Sequence, residues 1–372
     1  MIERYIGLLS GTSMDGLDAA LVRFDDDHLA VEQTLLFPYP RRLRERIHAL
    51  VESPDGGPLD EACRLHVEMG DLFGDAVLKL LQKAALSPEK IKAIGSHGQT
   101  VRHAPYDPTP FTVQLGDPNR IVARTGITTV ADFRSMDIAF GGQGAPLAPA
   151  FHAAVFSSDH RERTIVNIGG IANATILSSS GAPAVGFDTG PGNCLMDSWI
   201  KQQRGEEYDR DGGWAASGKE QPNLLQALLA EPYFGRPAPK STGRDLFDLD
   251  WLATIMEGHP GHPAADVQAT LCRLTARTIA KGILREGSKT NEVFVCGGGA
   301  SNTHLMALLQ DEMPNQQVAK TSSLGLDPEW VEAVAFAWLA RKRLCNEPGN
   351  LPTVTGAKRP VILGAIYQAT RF

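Results

Sequence analysis

Disulfide chemistry is the first thing missing. Five cysteines occur in 372 residues (Cys63, Cys194, Cys272, Cys296 and Cys345), and none forms a C-x-x-C pair. An odd, scattered set argues against a disulfide framework and a zinc site, and for a reducing compartment. No stretch reaches the roughly 18 consecutive apolar residues of a membrane span. Residues 1–6 run straight into patterned sequence, without the apolar core of a signal peptide. Positive charge is in deficit: 36 Lys and Arg against 43 Asp and Glu give a net charge of -7, with no basic run. Bulk electrostatics therefore disfavours nucleic acid as a partner. Together these absences predict a cytoplasmic protein with neither membrane nor nucleic-acid binding. Two nucleotide signatures are missing too. In the stretch ending Lys240-Ser241, the two P-loop glycine positions hold Phe234 and Pro239. No G-x-G-x-x-G follows a strand, which weakens a nicotinamide-binding reading.

What is present is a sizeable core and clustered glycine. Apolar residues make up 42% and charged residues 21%, so the chain can bury a core. Its length suits two domains better than one. Ile6 to Leu9, the turn 10–16 and Ala19 to Val22 read as strand, glycine turn, strand, with Val31 to Phe37 as a third strand. Leu65, Met69, Leu72, Phe73, Ala76, Val77 and Leu80 recur at helical spacing within 59–86, which Ser87-Pro88 ends. Ile91 to Ile94 is predicted as a short strand opening into the glycine loop 95–100. Thr164 to Ile168, Gly169-Gly170 and Ala172 to Leu177 repeat the opening unit. Val185 to Phe187 is predicted as a strand ending at Asp188, before a glycine-rich turn and a helix at 194. Glu292 to Cys296 is a strand capped by Gly297-Gly298-Gly299, and a helix spans 329–344. Residues 204–247 read as polar and irregular. Alternating strands and helices, with one strand-glycine-strand unit in each half, predict an α/β protein of two similar lobes facing across a cleft.

A glycine after a strand lets backbone N–H groups approach a phosphate. The loops 10–16, 168–170 and 297–299 are three such places. The first adds the Thr12 and Ser13 hydroxyls, and Asp15, which can hold Mg2+ directly or through water. Each loop taken alone also reads as a plain hairpin turn.

This arrangement resembles the actin-like ATPase and sugar kinase superfamily. Several motifs narrow the resemblance to the anhydro-N-acetylmuramic acid kinase family. They are Gly7-Leu8-Leu9-Ser10-Gly11-Thr12-Ser13-Met14-Asp15-Gly16-Leu17-Asp18, Gly95-Ser96-His97-Gly98-Gln99-Thr100, Ala131-Asp132-Phe133-Arg134, Gly141 to Leu147, Asn167-Ile168-Gly169-Gly170, Gly186 to Asn193, and Val295 to Gly299. The resemblance spans nearly the whole chain, in order. It implies a two-lobed actin-like (ribonuclease H-like) fold with a central nucleotide cleft. The lobes expected are 1–135, with the first phosphate loop, and 136–372, whose C-terminal segment is a candidate to pack back on the first lobe. It implies ATP and Mg2+ as cofactors, and a homodimer. The implied reaction opens the ring of 1,6-anhydro-N-acetylmuramic acid with water and phosphorylates O6, giving N-acetylmuramic acid 6-phosphate in peptidoglycan recycling. An actin-like regulatory module and a hexose kinase acting on a free hydroxyl are the alternatives.

The resemblance assigns nucleotide binding to Gly11, Thr12, Ser13, Met14, Asp15, Gly16, Leu17 and Asp18, with Gly169, Gly170, Gly297, Gly298 and Gly299. It assigns the general base to Asp188, which stands too far before the helix at 194 to be its cap. Water attacks an anomeric carbon well only if a base takes its proton, and one carboxylate suffices when phosphate caps the leaving oxygen. For the amino sugar we expect His97, Gln99, Arg134 and Glu332. Arg134 is equally readable as a structural partner of Asp132 or Asp137, His97 as a satisfied structural histidine, and Glu332 as a solvated edge residue. Two lobes about a cleft predict closure on ligand binding, with Gly141-Gly142 among the hinges.

Overall fold

In the computed structural model the described residues are 2–11, 14–25, 28–53, 57–243, 245–287 and 289–369. The chain divides into two compact units. One comprises Met1–Phe151 with Trp330–Phe372, the other His152–Glu329.

In the first unit the sheet starts as an antiparallel meander of β1 (Ile2–Ser10), β2 (Gly16–Asp25) and β3 (His28–Pro38). β4 (Ala93–Ala104) lies parallel to β1, and β6 (Thr129–Ala131) parallel to β4. β5 (Phe111–Leu115) turns back on the outer half of β4, and β12 (Ala365–Tyr367) pairs with β6. The order across the sheet is β12-β6-β4-β1-β2-β3. β1 is central and buried on both faces from Tyr5 onward, which explains its unbroken apolar run. One face takes the helix Leu59–Lys83. Its buried stripe of Leu65, Met69, Phe73, Val77 and Leu80 meets Ile6, Leu8, Leu17 and Leu21. Asp60 and Glu61 in its first turn and Lys83 in its last suit the helix dipole.

The opposite face takes the helix Val331–Leu344, which is apolar almost all round and accordingly buried. Gly7 and Gly95 are direct partners on β1 and β4. They point away from Ile6, Leu8 and Ile94, because side chains alternate along a strand. A Cβ on Gly7 would stand 1.8 Å from the Ala333 carbonyl oxygen, and one on Gly95 would stand 2.0 Å from that of Phe336. The helix backbone therefore rests directly on the strands.

In the second unit β7 (Arg163–Ile168), β8 (Ile171–Leu177) and β9 (Val185–Pro191) form the meander. β10 (Glu292–Cys296) and β11 (Gln317–Lys320) add in parallel, giving the order β11-β10-β7-β8-β9. This is the pattern of β6-β4-β1-β2-β3 repeated. The helix Ala264–Glu286 packs Val267, Leu271, Leu274, Ile279 and Ile283 into the core with Val166, Ile168, Ile176 and Phe187.

Three places differ from the sequence reading. β4 does not end at Ile94. It runs on to Ala104, so residues 95–100 lie within the strand. A register break between Ser96 and Gln99 and the positive φ of Gly98 (80°) absorb the irregularity that reads as a loop. Asp188 sits in the middle of β9, not at its end. Finally, the stretch 204–247 contains the helices Gly213–Ser217 and Pro222–Leu229. Among the described residues no helix is long and apolar enough to cross a membrane.

Candidate active site

The unit His152–Glu329 holds Asp188 and two of the three glycine turns. Gly169-Gly170 joins β7 to β8. The Gly170 carbonyl accepts the N–H groups of Gly192 (2.9 Å) and Cys194 (3.1 Å), and the Gly169 carbonyl that of Asn193 (2.8 Å). Gly192 permits this approach, since a Cβ there would lie 2.3 Å from the Gly169 oxygen. Gly297, at φ 78°, turns the chain off β10, and Gly299 packs on Ile168. The 169–170 and 297–299 turns thus adjoin at the ends of neighbouring strands, leaving Gly298 exposed. Between them lies Asn167, whose Oδ1 is buried with no hydrogen-bond partner among the described residues. An orphaned acceptor beside two glycine turns fits a ligand that brings a donor, such as a nucleoside hydroxyl.

Asp188 lies on β9, an edge strand. The register slips by one residue opposite Ala172, beside Asp188. Bulges of this kind re-aim side chains next to functional sites. Asp188 donates its own N–H to the Lys240 carbonyl at 3.0 Å, and its Oδ2 accepts the Thr242 N–H at 3.0 Å. The Tyr233 hydroxyl donates to the Asp188 carbonyl at 2.9 Å. The residue as a whole is half-buried. Poor solvation among its neighbours pushes the carboxyl up to about 6, against the opposing effects of the Thr242 N–H and the Lys240 charge. A carboxylate so poised is ionised at neutrality yet basic enough to take a proton.

The other glycine turn lies in the first unit. Its Thr12 and Ser13 fall outside the described residues. Met14 is buried at φ 55°, with its N–H on the Gly11 carbonyl at 3.3 Å. Asp15 is exposed, and its carbonyl accepts the Tyr39 N–H at 2.9 Å. Leu17 is wholly within the core, so its side chain faces no ligand. Under the turn, Ser10 Oγ donates to Gln99 Oε1 at 2.5 Å and accepts the Tyr39 hydroxyl at 2.6 Å. Burial holds the Tyr39 phenol well above its usual range.

His97, Arg134 and Glu332 are brought together in this same unit. His97 Nδ1 donates to the Gly98 carbonyl at 2.8 Å, and Nε2 accepts from Arg134 Nη2 at 2.8 Å and Nε at 3.1 Å. Its ring lies 4.7 Å from that of Phe336. Burial, and secondly the Arg134 charge, hold His97 well below the usual histidine range, so it is neutral. Arg134 also donates to the Gly144 carbonyl at 2.7 Å. Burial pushes its guanidinium down to about 10, opposed by the charges of Glu332 and Asp137. The Asp132 carboxylate is occupied by Ser135 (2.5 Å), and that of Asp137 by Asn350 (2.6 Å), Thr355 (2.7 Å) and the Gly144 N–H (2.8 Å). Gly142 is pressed on Asp137, where a Cβ would meet Oδ2 at 2.2 Å.

Sequence reasoning passed over Tyr233, Lys240, Thr242 and Asn167. Lys240 and Thr242 reach Asp188 through main-chain groups, which leave no side-chain signature, and the Tyr233 hydroxyl reaches its main-chain carbonyl across 45 residues. Asn167 belongs to the motif Asn167-Ile168-Gly169-Gly170, but its orphaned oxygen is visible only in three dimensions.

A meander extended by two parallel strands, occurring twice with glycine turns at the strand ends, defines the actin-like ATPase and sugar kinase class. The sequence profile of the anhydro-N-acetylmuramic acid kinase family matches residues 3–369. The chain belongs to that family. It is 51% identical over 371 residues to the anhydro-N-acetylmuramic acid kinase of Coxiella burnetii (strain RSA 493 / Nine Mile phase I), covering 100% of this chain and 99% of the relative. It is 50% identical over 366 residues to that of Shewanella loihica, covering 98% of each. Among solved structures, component A of (R)-2-hydroxyglutaryl-CoA dehydratase from Acidaminococcus fermentans is similar over 92% of this chain and 99% of that one. The identity is 12% and the TM-score 0.49, too distant to carry a functional argument.

Proposed function

We propose that this chain opens the ring of 1,6-anhydro-N-acetylmuramic acid with water and transfers a phosphoryl group from ATP to O6, yielding N-acetylmuramic acid 6-phosphate and ADP. The observation that carries the chemical part is the Asp188 carboxylate, poorly solvated, oriented by the Thr242 N–H and poised near pH 6. Full-length relatives bearing the name of this activity support the substrate. In this reading Asp188 takes a proton from water as its oxygen bonds to C1. The C1–O6 bond breaks, and the released O6 attacks the terminal phosphorus of ATP. Water, sugar and ATP are consumed one each, and no free alkoxide accumulates.

Gly169, Gly170 and Gly297–Gly299, with the orphaned Asn167 Oδ1, are assigned to the nucleotide, together with Gly11–Asp18. Among the described residues no three His, Cys, Asp or Glu side chains converge on a metal site. That fits Mg2+ held by one or two carboxylates with water and phosphate, the usual nucleotide arrangement. Asp15 and Asp18 are the candidates. Mg2+, when bound, neutralises phosphate charge. Arg134 is assigned to an acceptor of the sugar such as its lactyl carboxylate, with His97 and Glu332 orienting the guanidinium. Gln99 holds Ser10 beneath the first turn.

The test is mass spectrometry of the product formed in 18O water. Label at C1 with phosphate on O6 is expected. Phosphorylation without label indicates a hexose-kinase reaction, and ATP turnover independent of sugar indicates a regulatory module; either outcome overturns the proposal. A second expectation concerns Arg134. Arg134→Lys keeps the charge but loses the planar fork, and should raise the sugar KM about tenfold, in keeping with loss of a charged hydrogen bond. Steady-state kinetics with an unchanged KM would remove Arg134 from the sugar site.

A further inference from the structure

We propose that Lys240 is a positioning residue for Asp188: its ammonium fixes the segment that presents the Thr242 N–H to the carboxylate, and holds a positive charge on that segment. Lys240 Nζ donates to the Tyr233 carbonyl at 3.2 Å and the Phe234 carbonyl at 3.5 Å. It also lies 4.4 Å from the centroid of the Tyr233 ring. The Tyr233 hydroxyl donates to the Asp188 carbonyl at 2.9 Å, while Asp188 donates its N–H to the Lys240 carbonyl at 3.0 Å. The contacts close a ring from Asp188 through Tyr233 and Lys240 back to Asp188. Two residues beyond Lys240, Thr242 meets the carboxylate. The lysine side chain is therefore the cross-piece joining both main-chain ties of Asp188.

Among the described residues, the charged groups acting on Lys240 are Arg285, Glu286, Asp188 and Arg236. Arg285 is engaged by Glu286 at 2.7 Å and by the Phe234 carbonyl at 3.0 Å. Of these cations, Lys240 is the one that acts on Asp188. Desolvation, then Arg285, push its ammonium down to about 8. It is still protonated near pH 6, where Asp188 titrates. A cation whose charge acts on a carboxylate favours the ionised form, so removing it must raise the pH at which Asp188 ionises.

The catalytic meaning of this role rests on Asp188 being the base, so the test reads Asp188 directly. Full-length protein carrying 13C at its aspartate carboxyls is titrated by NMR, with Asp188→Asn identifying the Asp188 signal. Lys240→Met keeps the stem without the charge. Lys240→Gln keeps a donor for the two carbonyls and covers the case in which Lys240→Met fails to fold. In both, Asp188 should titrate about half a pH unit or more higher, and Lys240→Arg should restore it. The acid limb of kcat/KM should move in parallel. An unshifted Asp188 signal in the neutral variants overturns the proposal, as does a shift that Lys240→Arg fails to reverse. A shifted signal with an unmoved kinetic limb upholds the placement of Lys240 and removes Asp188 as the base.

Discussion

Asp188→Asn is expected to lower kcat about a hundred- to ten-thousand-fold, the usual worth of a positioned general base. Asparagine is nearly isosteric and its Oδ1 can still accept the Thr242 N–H, so the fold and the neighbouring ties should persist. What disappears is the group that takes a proton from water at C1. Substrate binding should change far less than turnover, because the base acts mainly as the bond to water forms. The pH profile gives an independent check. A base works in its ionised form, and Asp188 ionises near pH 6. kcat/KM should therefore rise as pH increases through about 6, and the residual activity of Asp188→Asn should lose that limb. ADP release followed across pH 5 to 8 measures both effects. Turnover within a few-fold of the unchanged chain would remove Asp188 from the chemistry.

Gly95→Ala is expected to destabilise its unit by about 3 kcal/mol, at the upper end of what one added methyl costs in a packed interior. The clash is with backbone, 2.0 Å from the Phe336 carbonyl oxygen, and no rotamer change relieves it. Gly7→Ala meets the Ala333 carbonyl oxygen at 1.8 Å and should behave alike. The helix that must retreat carries Glu332, and Phe336, whose ring lies against His97. The sugar KM should rise along with the loss of stability. Gly213→Ala is the control. Nothing lies within 4 Å of its added Cβ, and it opens a helix, so its effect should stay within about 0.5 kcal/mol. Denaturant midpoints for the three variants decide the matter, and a midpoint for Gly95→Ala equal to that of the control would show that the helix is not seated on β4.

Much of the fold was legible because its signals are periodic. The stripe from Leu65 to Leu80 marks a helix without ambiguity, and strand-glycine-strand occurs twice. The reading failed where local chemistry and tertiary pairing disagree. Gly95-Ser96-His97-Gly98-Gln99 looks like a turn, yet β1 on one side and β5 beyond the bulge keep it extended. Asp188 stood out by its motif, but its surroundings did not. Its partners come from a Gly- and Pro-rich stretch, and two of them, Lys240 and Thr242, use peptide groups, which every residue except proline can supply in full. His97 and Arg134 were each visible singly, while their mutual hydrogen bonds join positions far apart in the chain.

The unit containing β1 is discontinuous, with the other unit inserted between Phe151 and Trp330. The helix that covers Gly7 and Gly95 comes from beyond the insertion. On the ribosome, His152–Glu329 emerges as one uninterrupted stretch and can reach its native state during synthesis. The earlier-made strands must wait, one apolar face uncovered, until residues 331–344 leave the exit tunnel. A polypeptide stalled or cleaved shortly after position 330 would thus yield one finished half and one sticky half, a natural substrate for chaperones or proteases.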